Sequence, residues 1–287
     1  MALDHLTQMA RLVEVNWAAA WATLGAVSGQ PRTFVDDTAD CLRVYTPDST
    51  ETMLNIVMRY AVAGPARLEQ LEAAIIPYRQ HHLPMQWWLL RGCEPSGLRQ
   101  ELAALGMESW GGAAAMALDL ARWRAPAIQP PADVWLTRAV HDDDHQAALD
   151  VICEVFYAPV AAMARWTSQN PAFQVYLARL GARPVAALAT LYAADVAGVY
   201  NVATLHGARR RGIAGALLIQ ALRDAQGAGC GWATLTATPE ARRLYETLGF
   251  RACGVIEQWM PGARLNHTLL AGRQPTPYDS PHYFWGG

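Results

Sequence analysis

The groups best able to do chemistry are concentrated between residues 200 and 215. Tyr200-Asn201-Val202-Ala203-Thr204 leads through Leu205-His206-Gly207-Ala208 into Arg209-Arg210-Arg211-Gly212-Ile213-Ala214-Gly215. The first run predicts a strand. Ile213, Leu217 and Ala221 then share one helical face, with Ala214, Leu218 and Leu222 beside them, which predicts a helix from Gly212 to Gln226. A helix start presents unpaired N–H groups and the positive end of a dipole. Glycine lets the backbone approach a ligand closely, and three arginines place positive charge where an anion would sit. In physical terms this is a pyrophosphate cradle. An isolated arginine triplet reads as a solvated turn; between this strand and this helix it reads as a phosphate site. All 23 cationic side chains are arginine. A cradle without lysine is not a Walker loop, and the GxGxxG spacing of a dinucleotide fingerprint is absent. Without lysine there is also no side-chain Schiff base.

Other clusters carry less. His141-Asp142-Asp143-Asp144-His145 resembles a metal-binding run, but acidic residues at a helix start already favour the dipole, so no metal is expected. Asn201 reads first as a hydrogen-bonding residue of a strand edge and second as a catalytic one. Trp87-Trp88 reads as core, with a ring lining an acceptor pocket as the alternative. No GxSxG or HExxH occurs. The five cysteines are odd in number and no two form a CxxC, which argues against a disulfide framework or structural zinc and suits a reducing cytosol. A net charge of −2 gives no global field for nucleic acid. Asp4 and His5 precede any arginine, unlike the basic start of a signal peptide. The apolar stretch Trp17 to Val27 is too short to span a bilayer. A cytoplasmic protein is expected.

At 287 residues the prior is two domains. With 52% apolar and 17% charged residues, each can bury a core. The boundary is the Ala125–Ala132 segment, whose three prolines stop a helix or a central strand. The expected division is 1–125, a linker at 126–132, a domain at 133–262 and an aromatic, proline-rich tail at 263–287 that docks through Tyr278, Tyr283, Phe284 and Trp285. In the second half, strands are predicted at Val134–Val140, Phe173–Arg179, Pro184–Tyr192, Val196–Leu205, Trp232–Ala237 and Arg251–Trp259. Helices are predicted at Asp142–Tyr157, Gly212–Gln226 and Pro239–Leu248. The first half repeats the end of this order, with strands at Asn55–Tyr60, Met85–Leu90 and, weakly, Met116–Leu120, and helices at Ala66–Tyr78 and Leu98–Leu105. Leu102-Ala103-Ala104-Leu105-Gly106-Met107 aligns with Tyr245-Glu246-Thr247-Leu248-Gly249-Phe250, and Asn55-Ile56-Val57 with Asn201-Val202-Ala203, which suggests a duplication.

Arg209-x-x-Gly212-x-Ala214 resembles the [QR]-x-x-G-x-[GA] signature of the GNAT superfamily of N-acetyltransferases, and Ala241–Phe250 is similar to its late helix-and-strand motif. The resemblance covers roughly residues 133–260. The first half looks like a degenerate copy, as in tandem GNAT proteins: it lacks the arginine run, with only Arg59 before Gly64-Pro65, and has Leu102 where Tyr245 falls. The implied fold is α+β, two tandem GNAT-like domains, each a mixed, mostly antiparallel sheet flanked by helices, with one working site in the second. The resemblance implies acetyl-CoA as co-substrate and a small-molecule amine as acceptor, attacking directly in a ternary complex. Val202, Ala203 and Thr204 would pair with the pantetheine arm. Arg209, Arg210, Arg211, Gly212, Ile213, Ala214 and Gly215 would hold the pyrophosphate. Tyr245 and Asn201 are the catalytic candidates, Tyr245 as the acid that protonates the leaving thiolate. Two departures stand out. Thr238 occupies the position where many relatives have Asn, and the strand before the arginines has no carboxylate beyond Asp195. The base is left open among Glu154, Asp195, His206 and water. A non-catalytic CoA-binding or regulatory module is the alternative, and a homodimer is left open.

Overall fold

The computed structural model describes residues 5–26, 32–47, 49, 51–62, 67–92, 94–157 and 170–271. Along these run α1 (His5–Ala22), β1 (Phe34–Asp37), β2 (Leu42–Tyr45), β3 (Ile56–Met58), α2 (Arg67–Gln80), β4 (Gln86–Leu90), α3 (Leu98–Ala104), β5 (Met107–Asp119), β6 (Val134–Arg138), α4 (Asp142–Phe156), β7 (Phe173–Leu180), β8 (Arg183–Ala193), β9 (Val196–Thr204), α5 (Ile213–Gly227), β10 (Trp232–Ala237), α6 (Pro239–Thr247), β11 (Arg251–Pro261) and α7 (Ala263–Leu269).

The chain forms two compact units, one of Met1–Trp17 with Ala114–Cys253, the other of Ala18–Ala113 with Gly254–Gly287. The fold is α+β, with a mixed sheet and helices in each unit. In the first unit the strand order is β5-β10-β9-β8-β7-β6. Every neighbour is antiparallel except β9 and β10, which are joined through α5. Parallel neighbours need such a crossover. In the second unit the order is β1-β2-β3-β4-β11, and the parallel pair β3/β4 is joined through α2.

These units cut across the two consecutive halves that the sequence suggests. The last strand of each half is exchanged. Ala114–Asp119 of β5 pairs with β10 in the first unit, and Ile256–Trp259 of β11 pairs with β4 in the second. The sequence reading placed each of these strands in its own half, because pairing partners more than a hundred residues apart leave no local trace. The proline segment is part of the first unit's packing. Ile128 lies against the first turn of α5, and a Cβ on Gly215 would sit 3.3 Å from its Cδ1. Residues 263–269, expected as tail, form α7. The aromatic residues of the tail and the Gly64-Pro65 pair lie outside the described residues.

Local chemistry accounts for the element ends. α6 starts with Pro239 at its first turn, and Thr238 Oγ1 accepts the Ala241 amide at 3.4 Å. Gly249 follows it at φ +99°. α2 continues through Pro77, whose ring leaves the Ala73 carbonyl without its helical donor. Arg43 Nη1 donates to that carbonyl at 3.1 Å. β5 starts nine residues before the weak strand predicted at Met116–Leu120 and runs through Gly111-Gly112, a dipeptide type that ordinarily marks a turn. A Cβ on Gly112 would collide with the Ile256 carbonyl and crowd Val255, so this glycine serves close strand packing.

The first unit's core joins Ile213, Leu217 and Leu222 of α5 to Leu188, Ala197, Val199 and Leu235 of the sheet, and to Tyr245, Leu248 and Phe250. In the second unit Trp87 is fully buried and meets Tyr60 edge-on at 5.1 Å, while Trp88 meets Trp21 at 5.3 Å. Both tryptophans are core residues.

Candidate active site

β9 and β10 form a fork. They pair only at Val196–Gly198 with Trp232–Thr234. Past Gly198, β9 follows β8 as far as Thr204, and β10 follows β5 as far as Ala237. The two edges that face one another beyond Thr234 therefore lack a ladder partner, and such edges accept an added strand or an extended ligand. Within the fork, β9 carries a bulge. Ala187 pairs with Ala203 and Ala189 with Tyr200, so Asn201 and Val202 together oppose Leu188. Asn201 sits at φ +53°. Asparagine tolerates that left-handed conformation where a branched apolar residue would not. Its Nδ2 is buried and makes no hydrogen bond among the described residues. Bulges re-aim backbone groups and break the ladder locally.

β9 delivers the chain into the arginine loop through a short 3-10 turn at His206–Ala208. Arg210 (φ +62°) and Gly212 (φ +78°) both take left-handed conformations. Alternation of this kind turns successive amides to one side as an anion-binding concavity. Gly212 caps α5, and the first bond into the helix runs from the Ala216 amide to the Gly212 carbonyl at 3.0 Å. The amides of Ile213, Ala214 and Gly215 thus have no acceptor inside the helix. Arg209, Arg210 and Arg211 are exposed. Arg209 Nε donates to the Thr204 carbonyl at 3.0 Å, closing the loop onto the end of β9. Arg211 lies 3.9 Å from the Asp133 carboxylate, a loose and screened pair. The residues expected as a cradle are brought together at one end of the fork.

Tyr245 is 5% exposed and its ring meets Phe250 edge-on at 6.0 Å. Its hydroxyl makes no hydrogen bond among the described residues. Burial raises its pKa well above the ordinary tyrosine value, so it holds its proton throughout the neutral range. Thr238 acts as the cap of α6. Among the candidate bases, Asp195 lies in the β8–β9 turn, where its carboxylate accepts the Gly231 amide at 2.6 Å. That is the opposite end of β9 from the cradle, about 26 Å away at the rise of a strand. Glu154 is exposed on α4, and His206 is exposed beside the loop. Asp142–Asp144 fill the first turn of α4, and Asp144 pairs with Arg179 at 2.9 Å.

Sequence reasoning missed the bulge and the part played by α1. A polar, turn-prone Asn201 inside an otherwise apolar strand is the signal for the bulge. α1 contributes a fully buried asparagine, Asn16, to the first unit.

Residues 171–252 match the family model described as an acetyltransferase (GNAT) domain. No curated protein sequence matches the chain. Among solved structures, the chain is similar to a GCN5-related N-acetyltransferase from Kribbella flavida, at 21% identity and TM-score 0.68, over 88% of this chain and 97% of that one. It is similar to another from Sphaerobacter thermophilus, at 19% identity and TM-score 0.58, over 80% and 84%. It also resembles a tandem GNAT protein from the clavulanic acid biosynthesis pathway, at 14% identity and TM-score 0.55, over 89% and 94%. At these identities the structural likeness speaks for the fold. The family match runs from β7 through the bulge, the arginine loop and α6, so this stretch of the first unit is similar to a GNAT acetyltransferase domain, and the fold is the one seen in the GNAT structures.

Proposed function

We propose that the first unit transfers an acetyl group from acetyl-CoA to the amine of a small molecule. The observation that carries this reading is the β9/β10 fork, with a bulge inside it and an amide-rich cradle at its end. Backbone groups of Val202 to Thr204 pair with the pantetheine arm. Amides from Arg210 to Gly215, helped by the arginine side chains, hold the pyrophosphate. The amine nitrogen attacks the thioester carbonyl, and an amide near Val202 or Ala203 at the bulge receives the developing oxyanion. The carbon–sulfur bond breaks, and the thiolate takes the proton of Tyr245, whose raised pKa keeps that proton in place until it is needed. The amine gives its proton to water or to a side chain of the site. The net charge of −2 offers no docking field for a basic protein tail, which favours a small acceptor. The four described cysteines are free thiols, in keeping with a reducing cytosol. Among the described residues no helix is long and apolar enough to cross a membrane.

Calorimetric titration with acetyl-CoA, followed by an amine screen read out as thiol release, tests this. The expected result is one bound coenzyme per chain and thiol release with a subset of amines. Tyr245→Phe is expected to lower kcat while leaving coenzyme affinity unchanged. A second reading, CoA binding without turnover, draws on two observations: the Tyr245 ring sits in the core, and the described part of β9 has no carboxylate. It predicts binding with no thiol release under any acceptor.

A further inference from the structure

The fork opens at one row of the sheet, where Leu191 of β8, Gly198 of β9 and Thr234 of β10 lie side by side. Gly198↔Thr234 is the last β9–β10 pair. Ala197 and Val199 join the core formed with α5, so Gly198 and Tyr200 face the other side of the sheet. On that side stands Asn16 of α1, fully buried. Its Nδ2 donates to the Leu191 carbonyl at 3.2 Å and to the Val196 carbonyl at 3.0 Å. The Tyr200 hydroxyl donates to Asn16 Oδ1 and lies 3.2 Å from the Asn16 carbonyl. A Cβ on Gly198 would collide with Asn16 Oδ1, so this glycine admits the amide to the row where the strands part. Trp17 and Phe173 hold the Tyr200 ring edge-on, each at 5.4 Å.

One buried side chain thus ties three points: the end of β8, the start of β9 and the residue immediately before the bulge. Each bond is made where no water competes, and such a network fixes geometry more firmly than its members do singly. We infer that Asn16 is a positioning residue for acyl transfer, a wedge that sets the opening of the fork and the conformation of Asn201. It acts through Tyr200 and Gly198 and need not touch substrate. This rests on the acetyl-CoA reading above. It predicts that loss of the wedge disturbs the acyl end of the coenzyme site and spares the phosphate end.

The test compares full-length wild type, Tyr200→Phe and Asn16→Ala by calorimetry with two probes, acetyl-CoA and 3′-phospho-ADP, the second representing only the coenzyme's phosphate end. Tyr200→Phe keeps the ring between Trp17 and Phe173 and removes one hydroxyl, so it decides the matter even if Asn16→Ala fails to fold. The expected result is at least a fivefold loss of acetyl-CoA affinity, with 3′-phospho-ADP affinity within twofold of wild type. A purely structural bond lowers the melting temperature and leaves both affinities alone. That result, or an equal loss for both probes, overturns the inference while the coenzyme reading stands. If wild type binds neither probe, the coenzyme reading itself fails and takes the inference with it.

Discussion

Two glycines in the arginine loop offer a controlled comparison. Gly212 caps α5 at φ +78°. A Cβ there would lie 3.5 Å from the Gln129 carbonyl and 3.8 Å from Ile128 Cγ2, which is ordinary contact. The cost of Gly212→Ala is therefore conformational, about 1–2 kcal/mol for a left-handed non-glycine residue. Five residues earlier, Gly207 has no positive φ and nothing within 4 Å of its Cβ position. Gly207→Ala should be neutral, or stabilising by up to about 1 kcal/mol through the unfolded chain. In denaturant melts, the midpoint should fall for Gly212→Ala and hold or rise for Gly207→Ala, with the slope unchanged in both. Relief of the strain would rotate the amides that open α5. If a charge-bearing hydrogen bond is lost, at about 1.5–3 kcal/mol, acetyl-CoA affinity falls about tenfold to a hundredfold. Equal midpoints for the two variants would refute the conformational argument. Equal midpoints together with equal affinities would also remove Gly212 from the cradle.

Three further outcomes are expected. Asn201→Val should destabilise by about 1–2 kcal/mol, since a branched residue resists φ +53°, whereas Asn201→Gly should stay near wild type in melts; similar losses for both would count against the bulge. Burial raises the pKa of Tyr60 to about 12 and raises those of Tyr78, Tyr176, Tyr200 and Tyr245. Their contribution to stability is complete below about pH 10, the unfolded value, and is lost as pH rises toward the folded values. With no lysine to titrate there, melting temperature should drop steadily from pH 10 to 12, and a flat profile would contradict the burial of these rings. Burial pushes Glu257 up, but hydrogen bonds from Arg91 and Trp259 and the charge of Arg99 outweigh it and hold its pKa below the ordinary value. Its contribution is present above about pH 4.3 and lost as pH falls through the lowered value. Glu257→Gln should cost about 1 kcal/mol at neutral pH, discounted because Arg91 is half exposed, and should flatten the acid limb of the stability profile.

Much of the site was legible locally. β10 runs from Trp232 to Ala237 as read, and the ends of α5 and α6 fall within a residue or two, because Gly212, Pro239 and Gly249 are punctuation with a backbone cause. The Arg209–Gly215 loop proposed to hold the pyrophosphate stood out for the same reason: its arginines and glycines lie in one contiguous segment. What escaped depends on partners distant in sequence. α1, β1 and β2 have weak patterns of their own and are held by what they pack against. The double glycine in β5 imitates a turn, and only the approach of Ile256 and Val255 explains it. Asn16 resembles any polar residue of a helix until Gly198 and Tyr200, more than 180 positions away, are folded against it.

The exchange of terminal strands also sets a timetable for synthesis. Leu90, in β4, pairs with Ile256 of β11, which the ribosome adds about 166 residues later. At about 5–20 residues per second, the interval is about 8–33 seconds. Throughout it the second unit holds Gln86-Trp87-Trp88-Leu89-Leu90 with one edge unpaired, and such an apolar edge invites pairing with another chain. The nascent protein thus passes through a stage whose main hazard is self-association, and its yield should depend more on cover for that strand during translation than on the stability of the finished fold.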